Sequence, residues 1–204
     1  MYSRFRPNLP VRVQDKNFII GDVHGDYVSL TKLLNKVGVY KTDNGWVNEQ
    51  GFKIIFLGDL NDPRFSNEEV NRKEMSSWKV MCIAKELWES GDAEILHSNH
   101  HENLIRAWRG QRDKLNYGLE YTMEELNGLD HNEVDKMINF LDSLPYFHSF
   151  VSGGRSFTCV HASYVSGMSQ FSPAESNKSN AIYGFKNPDG SRREWWRDEE
   201  YLQS

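Results

Sequence analysis

The chain has 204 residues, 38% of them hydrophobic and 13% aromatic, which suffices for one domain with its own core. Its net charge of -5, with a pI near 5.8, provides no general attraction for a nucleic-acid backbone, so a stable nucleic-acid complex is not expected. No apolar run reaches the roughly 18 to 20 residues that cross a bilayer, and a mean hydropathy of -0.68 argues for a soluble surface. Met1 to Pro10 lacks the apolar stretch of a signal peptide, so the expectation is a cytoplasmic chain with no membrane partner. Cys82 and Cys159 lack the spacing of a disulfide framework or a structural zinc site and read as buried thiols.

Asn17 to Ile20 is a short apolar segment running into Gly21-Asp22-Val23-His24-Gly25-Asp26, after which Val28, Leu30, Leu33, Leu34 and Val37 recur at helical spacing. The pattern predicts a strand, a tight loop and a helix. Asn44-Gly45 predicts a hairpin turn between Val39-Tyr40 and Trp46-Val47. Phe52 to Leu57 predicts a strand buried on both faces and ending at Gly58-Asp59. An amphipathic helix is expected from Asn67 to Ser90, closed by Gly91, followed by a third strand over Ala93 to Leu96. That strand delivers Ser98-Asn99-His100-His101-Glu102 to another helix ending near Gly110. Gln111 to Asp130 is weakly patterned, whereas Glu133 to Leu144 is amphipathic and stopped by Pro145. Residues 111–144 are assigned to a helical cap that sets specificity. Tyr146 to Val151 and Ser156 to Val160 predict a hairpin through Gly153-Gly154 that ends at His161, and the tail over residues 172–204 reads as loop-rich. Strands alternate with helices and then follow one another, so the class is α/β with a mixed sheet in a single domain, 1–204.

Four strand ends thus carry small polar clusters, and the carboxyl ends of strands are where α/β sheets bind ligands. Asp22 and His24, two apart, can face one way and hold a metal. Asp59 adds a carboxylate able to bridge two cations, and Asp62, three residues on, can orient a catalytic imidazole. Asn99 offers a hard amide oxygen and His100 a proton donor; His161 ends the last strand. Taken singly, each cluster also reads as a capped turn or a polar loop.

The motifs GDVHG, GDLND, SNH and VHA, in this order, resemble the calcineurin-like metallophosphoesterases, especially small bacterial and phage Ser/Thr-type phosphatases. The resemblance spans roughly Phe18 to His161. It implies a four-layer α/β sandwich of mixed sheets and two divalent ions, manganese above iron, zinc or magnesium, with a metal-bound hydroxide as nucleophile. Asp22 and His24 would hold one ion, Asp59 would bridge, and Asn99 and His161 would hold the other. His100 would protonate the leaving group with Asp62 fixing its tautomer, and Arg64 and Asn99 would bind phosphate. The substrate would be a phosphate monoester: a phosphoprotein, a small phosphorylated metabolite or a nucleotide.

The chain also departs from the family pattern. Pro63 displaces the phosphate-binding arginine by one position, to Arg64; Ser98 stands where the family has glycine, and His101 where it has an acid, with Glu102 next. No histidine follows His161, although the family places its last metal ligand in a later strand. Ala181-Ile182-Tyr183-Gly184 resembles the segment before that strand in the polynucleotide-phosphatase branch, so the expectation is a chain that stops short of it. Asp198, Glu199, Glu200, water or a neighbouring subunit are the candidates to fill the position. The rival expectation is a binding or regulatory protein that kept the scaffold without a complete second metal site.

Overall fold

The computed structural model describes residues 16–64, 74–112, 114–171, 173–185 and 191. In chain order its elements are β1 (Asn17–Ile20), α1 (Tyr27–Lys36), β2 (Val39–Thr42), β3 (Gly45–Asn48) and β4 (Lys53–Phe56). There follow α2 (Ser77–Glu89), β5 (Ala93–Ile95), α3 (Asn99–Trp108), α4 (Leu119–Asn127) and α5 (His131–Asp142). The β6 (Phe147–Ser152) and β7 (Arg155–Val160) strands and α6 (Glu175–Tyr183) complete the series.

The apolar segments β1, β4 and β5 pair in parallel in that spatial order, with Ile20 opposite Phe56 and Phe56 opposite Ile95. Central β4 is the strand buried on both faces, as its apolar run predicts: Ile54, Ile55 and Phe56 are all fully buried. Parallel pairing also sets the three carboxyl ends side by side, which gathers the loops bearing Asp22, Asp59 and Asn99 at one edge. The β2–β3 and β6–β7 pairs are antiparallel hairpins, as the turn residues predict, so the class is α/β with both kinds of pairing.

Each helix that flanks the sheet starts at a side-chain cap. Asp26 accepts from the Ser29 N–H at 2.9 Å, Ser76 from Lys79 at 3.1 Å, Ser98 from His101 at 3.3 Å and Asp130 from Asn132 at 2.8 Å. Their apolar stripes meet in one cluster containing Leu34, Phe56, Leu87, Leu104, Val134, Ile138 and Leu141. A smaller cluster of Tyr146, Met168, Ala181 and Ile182 seats α6 beside the last hairpin.

Some elements differ from the sequence reading. The helix α2 starts at Ser77, because Ser76 caps it and Met75 is held in a β-bridge with Asp26; residues 65–73 lie outside the described residues. Within weakly patterned 111–130 lies α4, whose inward face is Leu119, Thr122 and Leu126. A buried polar Thr122 interrupts the apolar period, which hides the helix. The tail read as loop contains α6, which buries only Ala181 and Ile182 and so shows no stripe. Cys82 and Cys159 are half-buried free thiols rather than core residues. No helix among the described residues is long and apolar enough to cross a membrane.

Candidate metal centre

The loop after β1 is hydrogen-bonded to the loop after β4. Val23 and His24 both donate their N–H to the Asp59 carbonyl, at 3.0 and 2.8 Å, and Gly25 donates to Leu60 at 2.9 Å. Asp59 itself is anchored by its N–H donating to Ser98 Oγ at 3.0 Å, which ties in the third loop. The site is built under backbone strain: the described non-glycine residues with positive φ are His24 (48°), Asp59 (46°), Asp62 (65°) and Tyr117 (59°). Gly58 is also required, because with φ 114° a Cβ there would sit 2.6 Å from Ser98 Cβ and 3.2 Å from His161 Nδ1.

Two imidazoles have their tautomer set by a backbone carbonyl. His24 Nδ1 lies 3.2 Å from the Asn61 carbonyl and His161 Nδ1 lies 2.9 Å from that of Leu57. A carbonyl only accepts, so each Nδ1 carries the proton and each Nε2 presents a lone pair. His24 Nε2 points at Asp59 Oδ2 at 3.7 Å and Asp22 Oδ2 at 3.9 Å, buried and without a hydrogen-bond partner. His161 Nε2 faces Asn99 Oδ1 at 2.8 Å and Asp59 Oδ1 at 3.4 Å, so an imidazole, an amide oxygen and a carboxylate converge at one point. Burial disfavours charge on His24, and although Asp59 opposes this, its pKa falls below the ordinary value, keeping the ring neutral as a metal ligand must be. His24, Asp59 and His100 form one group able to hold an ion, and Asp22, Asp59 and His161 a second, with Asp59 common to both. Carboxylate, amide and neutral imidazole donors fit divalent ions.

His100 is held differently. Its Nδ1–H donates to Asp62 Oδ2 at 2.7 Å, and its Nε2 lies 3.9 Å from Asp59 Oδ2. Burial works against its charge, but the bond to Asp62 and the fields of Asp59 and Asp62 prevail and raise its pKa above the ordinary value. Asp62, fully buried, is in turn fixed by Thr122 Oγ1 at 2.8 Å and Asn61 Nδ2 at 2.7 Å on its other oxygen. Its N–H donates to Thr122 Oγ1 at 3.0 Å. Thr122 is a site residue that sequence reading missed; it lies sixty residues from Asp62 on α4, and no local pattern marks it.

The departures from the family pattern acquire roles here. Ser98 caps α3 and holds the Asp59 backbone. His101, buried and pushed well below the ordinary pKa by burial and neighbouring histidines, accepts from the Leu60 N–H at 3.4 Å as an acid would. Glu102 accepts from His97 at 3.3 Å and Lys178 at 3.1 Å. Asp198, Glu199 and Glu200 lie outside the described residues.

Beside the centre opens a cleft of about 850 Å³ lined by Arg64, Asn99, His100, Arg112, Tyr117 and Tyr121 among others. Arg64 is exposed there, next to His100.

No family model matches the chain. Among curated proteins, the bis(5'-nucleosyl)-tetraphosphatase PrpE [asymmetrical] of Geobacillus thermodenitrificans (strain NG80-2) is 30% identical over 192 residues, 87% of this chain and 71% of its own length. The protein of the same name from Halalkalibacterium halodurans is 29% identical over 136 residues, 65% of this chain and 51% of its own. That of Bacillus subtilis (strain 168) is 34% identical over 116 residues, 56% of this chain and 43% of its own. The chain spans about half the length of these last two relatives.

Proposed function

This chain belongs to the calcineurin-like metallophosphoesterases, the family of its PrpE relatives, and from that premise we propose that it is a metal-dependent hydrolase of phosphate esters. The observation that carries the reading is the pair of carbonyl-fixed imidazoles, His24 and His161, whose Nε2 lone pairs converge on one buried carboxylate, Asp59, beside the His100–Asp62 pair. Asp22 and His24 would hold one divalent ion, Asn99 and His161 the other, with Asp59 shared. Carboxylate and amide oxygens with two imidazoles fit manganese, and also iron, zinc or magnesium. When bound, two such ions activate a water nucleophile and neutralise phosphate charge.

The remaining steps belong to the side chains. Arg64 and the Asn99 amide orient the phosphate at the cleft mouth. His100, kept protonated by Asp62 and Asp59, gives its Nε2 proton to the departing oxygen, and Asp62 holds the ring in place. The names of the relatives support a nucleotide as substrate rather than a phosphoprotein. In the same reading, residues 1–204 are one cytoplasmic domain, the parallel sheet and the β6–β7 hairpin are the inner layers of a four-layer sandwich, and 111–144 are its specificity cap.

Hydrolysis of p-nitrophenyl phosphate with manganese, with chelator, and by Asp59→Asn tests the proposal. Metal-dependent turnover that the variant lacks is the expected outcome. Silence with every divalent ion would instead favour a binding or regulatory member of the family.

A further inference from the structure

Two features of the cleft are not used by the hydrolytic machinery, and both lie in the stretch 111–144. The first is Arg112. Its Nε–H donates to the Lys114 carbonyl at 2.9 Å, and its terminal amino groups donate to Asn103 Oδ1 and Asn116 Oδ1, each at 3.0 Å. All three acceptors are neutral, so they orient the guanidinium without cancelling its charge. They use three of its five N–H donors and leave two for a ligand. Asn103 follows Asn99 by four residues and His100 by three on α3, so this bond ties the cation to the helix face that carries the metal-site amide and the acid, all lining one cleft.

The second is Tyr117, a residue 78% exposed and with φ 59°. A bulky residue adopts that backbone only where its surroundings impose it. The next residue, Gly118, packs hard against the site: with φ 92°, a Cβ on it would lie 2.5 Å from the Pro63 carbonyl oxygen and 2.7 Å from the Asp62 carbonyl carbon. The loop is therefore seated on the backbone of the catalytic acid pair, and Tyr117 is presented at the wall of the same cleft as Arg112. A charged fork fits a second phosphate, and an exposed aromatic face fits a planar base.

Resting on the phosphoesterase reading, we infer that Arg112 and Tyr117 form a specificity subsite for a nucleoside polyphosphate, Arg112 taking a phosphate of the chain and Tyr117 stacking the base. A phosphopeptide offers neither a second phosphate nor a base.

The test compares kcat/KM for diadenosine tetraphosphate and for p-nitrophenyl phosphate in the wild type, Arg112→Gln and Tyr117→Asn. Asn tolerates the left-handed backbone, so the second substitution removes the ring with little strain. Each variant is expected to lose about tenfold more on the dinucleotide than on the small ester, the effect of one lost charge-assisted or stacking contact. Equal losses on both substrates, or none on either, overturn the inference, as does a phosphoserine peptide that depends on Arg112 equally. Calorimetric binding of ATP without metal needs no turnover: a Kd raised about tenfold in either variant supports the subsite, and an unchanged Kd in both overturns it. Absent turnover of p-nitrophenyl phosphate by the wild type would sink the hydrolase reading alone, because ATP binding still judges the subsite.

Discussion

At the scale of single residues, the site works by fixing protons. His24 and His161 give their Nδ1–H to backbone carbonyls and are left as ligands, while His100 gives its own to a carboxylate and is left as an acid. The same side chain thus takes two roles according to the acceptor beside it. His100→Asn is expected to lower kcat for an alkyl phosphate by about 10²- to 10⁴-fold, and for p-nitrophenyl phosphate by much less, because that leaving group departs without a proton. The raised pKa of His100 means that its acidic form survives to higher pH than an ordinary imidazole would allow. The alkaline fall of the alkyl-phosphate rate should therefore lie above the ordinary imidazole range, and that limb should vanish in His100→Asn. A pH–rate profile of both proteins checks this; equal losses on the two substrates would remove His100 from the acid role.

Secondary-structure elements hold these residues through a few polar ties. One tie is Thr122 of α4, which donates to Asp62 Oδ1 and accepts from its N–H, all fully buried. Thr122→Val keeps the volume but removes one hydrogen bond from each Asp62 group, leaving Oδ1 to Asn61 Nδ2 and the N–H to Ser77 Oγ, so a loss of about 1–3 kcal/mol in stability by urea unfolding is expected, together with a lower kcat. A second tie is Glu102, which joins α3 to α6 through Lys178 and to His97. The bond to His97, more than burial opposes, holds its carboxyl down to about 2 from 4.5. A depressed carboxyl stabilises the fold above its unfolded pKa and loses that contribution as pH falls through the folded one. Glu102→Gln should therefore be less stable than wild type at neutral pH, by about 1–3 kcal/mol. The gap should close between pH 4.5 and about 2, and a constant gap across that window would deny the linkage.

For the whole molecule, the centre is a place where three loops meet, two of them under strain that bound ions can offset. His24, Asp59 and Asp62 sit at positive φ, and His24 Nε2 is buried without a partner. Manganese at about a hundred times its Kd should then stabilise the fold by about 2.7 kcal/mol, seen as a rise in Tm that chelator reverses. Asp59→Asn should abolish the rise, since Asp59 is the carboxylate common to both ion groups; an unchanged rise would place the ions elsewhere. The α/β class, the strands β1, β4 and β5 and the four strand-end clusters were legible in the sequence, because apolar runs and glycine turns are local signals, whereas the parallel pairing of those strands came from the structure. The helices α4 and α6 were not, since one carries a buried Thr122 in its stripe and the other buries only Ala181 and Ile182. By itself, then, the chain determined which residue types reach the carboxyl edge of the sheet. Only the tertiary structure decided their protonation, and which residues of the cap face the cleft. Those depend on carbonyls, hydroxyls and amides brought together from positions tens of residues apart, which no local pattern encodes.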